Sequence, residues 1–105
     1  MNHVSVLMTT SSSQQEADRI ATALVEEKLA ACCQALPIQS TYRWKGEICR
    51  EAEVLLLVKT ANAAGAIERI RQLHSYDVPE IIELRVDSGH TPYLLWVEES
   101  SGKDR

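Results

Sequence analysis

No run of apolar residues in this 105-residue chain approaches the ~20 positions that a helix needs to cross a bilayer, so no membrane partner is expected. Basic residues are in the minority, 11 against 15 acidic ones, for a net charge of −4. Nucleic acid selects a basic face, so the same balance argues against it as a partner. Glycine is scarce, four residues in all, and none belongs to the kind of loop that cradles a nucleotide phosphate. No nucleophile elbow and no Ser–His–Asp set can be placed either, so no enzyme is expected. Cysteine amounts to Cys32, Cys33 and Cys49, without the spaced pairs that hold zinc. The start, Met1-Asn2-His3-Val4, has neither a charged export region nor a small-residue cleavage site. Together with the odd cysteine count this makes the cytoplasm the expected compartment.

What the chain does contain is regular. Its length suits one domain over residues 1–105, with the last ~5 residues as a disordered tail. Val4, Val6 and Met8 alternate with Ser5 and Leu7 as a first strand. Ser13-Gln14-Gln15-Glu16 reads as a capping box, followed by Ala17, Ile20, Ala21, Leu24, Val25 and Leu29 at helical spacing. The chain from Ala31 to Trp44 is extended, and Pro37 demands an edge strand or a bulge. Lys45-Gly46 reverses it into Glu47 to Lys59, where Val54-Leu55-Leu56-Leu57-Val58 is apolar on both faces, as in mid-sheet. Asn62 caps a second helix through Leu73. Pro79 precedes a fourth strand carrying Ile82, Leu84 and Val86, and Thr91-Pro92 opens a last short helix. The order β-α-β-β-α-β plus a helix is an α+β, ferredoxin-like sandwich with a long central hairpin and a short C-terminal helix.

Two features do not suit a lone subunit. Hairpin arms of ~12 residues span ~40 Å, whereas a first helix of ~16 residues covers only ~24 Å, so the hairpin overhangs and leaves strand edges open. The last helix, with Tyr93, Leu94, Leu95, Trp96 and Val97, is apolar all round. Neighbouring copies in a closed ring would cover both.

The densest polar stretch is Leu73-His74-Ser75-Tyr76-Asp77-Val78-Pro79-Glu80-Ile81, where a helix hands over to a strand. With Tyr42-Arg43-Trp44-Lys45-Gly46-Glu47-Ile48 and Lys59-Thr60, in that order along the chain, it resembles the CutA family of divalent-cation tolerance proteins. The likeness runs from Val6-Leu7 to Tyr93-Leu94-Leu95-Trp96. It implies a homotrimer of ferredoxin-like subunits concerned with divalent metal, copper in particular. Met8 stands where several relatives have a cysteine implicated with histidine in copper binding, and Leu73 where some have a second histidine. Only His74 carries over directly.

His74 has two readings: a cation favoured by the helix C-terminus, or an imidazole ligand for Cu2+ or another divalent ion. Asp77 and Glu80 lie close by in sequence as oxygen donors, and Met8 is a soft donor suited to Cu(I). A site of one histidine and one or two carboxylates is weak unless a second subunit adds a ligand. Tyr42, Trp44, Lys59 and Tyr76, with Glu80, form the other group, which the resemblance gathers near clefts between subunits. Interface packing is the simpler reading for the two aromatic residues of the hairpin. Adjacent strand residues face opposite ways, so Cys32 and Cys33 do not share an ion; Cys32 reads as a buried, inert thiol. Two functions follow: a metal-tolerance protein that binds divalent ions weakly at inter-subunit clefts, or a non-enzymatic scaffold whose cleft takes a small molecule or a protein partner.

Overall fold

The computed structural model describes residues 2–102. Along the chain it contains β1 (Ser5–Ser11), α1 (Gln14–Glu26), β2 (Cys32–Trp44), β3 (Glu47–Thr60), α2 (Ala63–Leu73), β4 (Ile81–Arg85) and α3 (Thr91–Ser101). The strands form one antiparallel sheet in the order β2-β3-β1-β4, with α1 and α2 on one face. The ferredoxin-like arrangement is therefore present. The tail expected at the end lies mostly outside the described residues, and Ser101, its first residue, is the last of α3 and is buried.

The core lies between sheet and helices. Leu7 from β1, Ile20 and Leu24 from α1, Leu56 and Val58 from β3, and Ala66 and Ile70 from α2 are all inaccessible or nearly so. Residue Leu7 pairs with Val58 and Thr9 with Leu56, so these four share the helix-covered side. Met8 pairs with Leu57 and Ile82, and Val6 with Leu84, which puts that apolar set on the side of the sheet opposite α1 and α2. The alternation of Val6 and Met8 thus marks the face opposite α1 and α2, while Leu7 enters the core. Val25, counted on the apolar side of α1, is exposed; the core-facing stripe there is Ala17, Ile20 and Leu24.

Pro37 sits on the edge strand. Its register with Val54 is continuous with the rest of the hairpin, so no bulge is needed to accommodate its missing amide. The pairing of β1 begins at Val54, so Glu47 to Glu53 are paired with β2 alone. At ~3.3 Å per residue the 13 residues of β2 reach ~43 Å, against ~20 Å for α1, and the longest dimension of the molecule is 46 Å. The hairpin overhangs as its length demands. Lys45 and Gly46 close it, both at positive φ, 51° and 81°, the backbone of a two-residue turn suited to strand twist. A side chain at Gly46 meets no neighbour, so the penalty for Gly46→Val is conformational. We expect about 1–2 kcal/mol of lost stability, read as a lower denaturant midpoint; an unchanged midpoint would contradict the turn.

Candidate functional site

The connection between α2 and β4 is held by a buried network that starts at the other end of the chain. Ser13 caps α1 by accepting the Glu16 amide at 3.1 Å, half of the expected capping box. The reciprocal half is displaced by one residue. Glu16 Oε1 accepts both the amide and the hydroxyl of Ser12 at 3.2 Å, while Oε2 accepts the Ser75 amide at 2.8 Å. Burial alone would raise the Glu16 carboxyl, but the hydrogen bonds from Ser75 and Ser12 outweigh it and hold the group below its ordinary value. A cap residue thereby pins a loop 59 positions away. Sequence reading assigned Glu16 to its own helix; a carboxylate that also caps a distant loop leaves no local signal.

His74 ends α2, its amide bonded to the Ile70 carbonyl at 2.9 Å, and its side chain is fully buried. Nδ1 accepts the Tyr76 amide at 3.2 Å and Nε2 lies 2.7 Å from the Thr10 carbonyl. A carbonyl only accepts, so the ring proton sits on Nε2 and Nδ1 carries a lone pair. The 3.8 Å approach of Nδ1 to Glu16 is then not an ion pair, because that nitrogen has no proton to offer. This arrangement is neither the cationic helix cap nor a free ligand; to bind a metal, the ring would have to surrender one of the two bonds.

Residues 76–80 turn towards the overhanging hairpin. Tyr76 Oη donates to Glu53 Oε2 at 2.7 Å, and burial, then this bond, push its phenol well above the usual range. Tyr42 donates to Glu51, and that bond foremost pushes its phenol up to about 12. Both phenols therefore stay protonated at neutral pH and act as donors. A groove of about 500 Å³ results, lined by Tyr42, Trp44, Glu51, Glu53, Tyr76 and Glu80, with Thr10, Ser40, Thr41 and Val78 completing it.

The structure brings Tyr42, Trp44, Tyr76 and Glu80 together at this groove and leaves other candidates apart. Lys59 is not among its lining residues; it donates to Gln34 Oε1 across β2 and β3. Met8 lies on the sheet face opposite α1 and α2, in register with Leu57 and Ile82, whereas His74 is buried with its Nε2 against the Thr10 carbonyl. Asp77 is exposed. Among the described residues, no three of His, Cys, Asp and Glu gather as ligands for one ion. Glu51 and Glu53 are groove acids that sequence reading missed. Their alternation along β3 was visible, but their partners on β2 and in the 74–80 connection were not.

The cysteines fall as strand geometry requires, with one exchange of roles. Cys33 packs against the core, and burial foremost pushes its thiol up to about 12. Its register partner is Val58, whereas Cys32 pairs with Lys59 on the opposite face. The inert, core-facing thiol is thus Cys33, and no disulfide is formed.

Comparison with known proteins agrees with this geometry. The family model described as CutA1 divalent ion tolerance protein matches residues 5–100. A divalent-cation tolerance protein CutA from Thermus thermophilus is 46% identical over 100 residues, covering 92% of this chain and 97% of the relative. Human protein CutA is 40% identical over 99 residues, 91% of this chain, and the chain spans 55% of its length. The chain thus covers nearly all of the bacterial relative but about half of the mammalian one. Among solved structures, CutA from Xylella fastidiosa superposes with a TM-score of 0.91 at 38% identity, covering 94% of this chain and 98% of that one. By sequence and fold alike, the chain belongs to the CutA1 divalent ion tolerance family.

Proposed function

We propose that this protein is a cytoplasmic homotrimer that takes part in divalent-metal tolerance without catalysing a reaction, and that it binds metal, copper foremost, weakly at clefts between subunits. The observation that carries the metal reading is the groove itself: Glu51, Glu53 and Glu80 line it, and no lysine or arginine does. Such a surface attracts cations. Its donors are too dispersed to hold an ion alone, so a second subunit supplies the remaining ligands, and affinity is modest. Trimer formation is supported by the exposed apolar side chains Ile82 and Leu84 of β4 and Leu95 and Trp96 of α3.

Calorimetric titration of copper and zinc into protein of verified trimer mass tests the reading. Saturation at a whole number of ions per subunit is expected, weakened about tenfold by Glu80→Gln, as the loss of one charged ligand implies. His74→Ala is run beside it, with a melting curve, because that substitution also empties a buried, hydrogen-bonded position. Binding indifferent to Glu80→Gln and to His74→Ala would defeat the metal reading. The alternative is a scaffold whose cleft receives a small molecule or a protein partner. It is favoured by the engagement of both His74 nitrogens within the fold.

A further inference from the structure

The groove has properties that a single metal ion would not use. Its volume of about 500 Å³ accommodates a chain of several heavy atoms. Tyr42 and Tyr76 each donate to one carboxylate oxygen, Oε1 of Glu51 and Oε2 of Glu53. The other oxygen of each, and both oxygens of Glu80, accept from no side chain or amide among the described residues. Three negative charges are therefore set around the groove with acceptors to spare and no positive charge among its lining residues. Apolar surface joins them in the lining, with Trp44 54% and Val78 78% exposed in the isolated subunit.

Each property selects against part of the range of ligands. Neutral and anionic molecules would leave the carboxylates unpaired. A hydrated divalent metal would find its ligands too far dispersed and would gain nothing from indole or valine. Dispersed carboxylates call for positive charges at separate points, aromatic faces attract ammonium groups, and apolar walls favour the burial of methylenes. The geometry points to a linear aliphatic polyamine, a methylene chain carrying two or more ammonium groups, as a ligand of this groove. The inference uses the same groove and the same three acids as the metal reading, but it needs neither a set of metal ligands nor donors from a second subunit.

Calorimetric titration of spermidine into the full chain, in about 0.15 M salt to screen the long-range attraction of the acidic surface, is the test. We expect saturation at one molecule per chain. Glu80→Gln removes a carboxylate that accepts no hydrogen bond among the described residues and should weaken binding about tenfold, and Trp44→Ala about fivefold. Glu26→Gln, at an exposed acid of α1, should change nothing, and 1,6-hexanediol, with methylenes but no charge, should not bind. Binding that fails to saturate, falls equally in Glu26→Gln and Glu80→Gln, or ignores Trp44→Ala would overturn the inference. Copper titrated into the same sample keeps the two proposals separate. Copper without spermidine binding removes the polyamine alone, and spermidine without copper binding removes the metal reading alone.

Discussion

Replacing Glu16 with alanine should lower the unfolding free energy by ~3 kcal/mol, because hydrogen bonds to a charged acceptor are worth ~1.5–3 kcal/mol each and their buried donors would be left unmet. The carboxylate accepts from the Ser12 amide, the Ser12 hydroxyl and the Ser75 amide, so the variant releases both the entry to α1 and the 74–80 connection. For a domain of this size the melting temperature should fall by about 12–20 °C. Glu16→Gln should lose about half as much, since its amide keeps one acceptor but turns a donor towards either Ser12 or Ser75.

The same residue predicts an acid dependence. Its carboxyl is held below the ordinary 4.5. A group whose folded value is depressed adds stability that is fully present above the unfolded value and is lost as pH falls through the folded one. Melting curves between pH 7 and pH 3 should show the wild type losing stability below about 4.5 more steeply than Glu16→Gln. Parallel pH profiles for the two proteins would rule out this role for Glu16.

Leu84→Lys should abolish assembly. The side chain is 51% exposed in the isolated subunit, beside Ile82 at 47%, on the face opposite α1 and α2 that also carries Val6, Met8 and Leu57. Fully burying one such side chain contributes ~1.5–3 kcal/mol, and a closed ring repeats the contact in every subunit. A buried, unpaired ammonium reverses that gain and adds several kcal/mol of desolvation cost. Sedimentation analysis should find the wild type at three times the chain mass and Leu84→Lys as monomer or aggregate. A trimer of unchanged mass in the variant would place the interface elsewhere. A second substitution on the outer side of α3, Leu95→Lys, tests whether that helix belongs to the same contact, since Leu95 is equally exposed.

Much of this architecture was legible because local chemistry and global fold agree. Ser13 and Asn62 both cap the helices their positions announce. Lys45-Gly46 makes the turn between β2 and β3, Pro37 lies on an edge strand, and the apolar stretch from Val54 to Val58 occupies a strand with neighbours on both sides. Faces were harder to read than elements. In β1 and β3 both sides are apolar, so periodicity locates the strand without saying which side the helices cover. Hence Leu7, rather than Val6 or Met8, entered the core, and Cys33, rather than Cys32, became the inert thiol.

The sequence by itself determined the order of the helices and strands, where they begin to within about a residue, how far the hairpin overhangs, and that large apolar side chains stay exposed on a single subunit. Those properties follow from capping, turn chemistry and residue rise, all of which act over a few neighbouring positions. Only the tertiary structure decided the chemistry of the site. It turned His74 inward to satisfy the Thr10 carbonyl and the Tyr76 amide. It sent Glu16 to Ser75, kept Lys59 with Gln34, and joined Glu51 and Glu53 to Tyr42 and Tyr76 around one groove. The physical reason is that buried polar groups take whichever partners the packed chain brings within reach, and those partners lie far away in sequence.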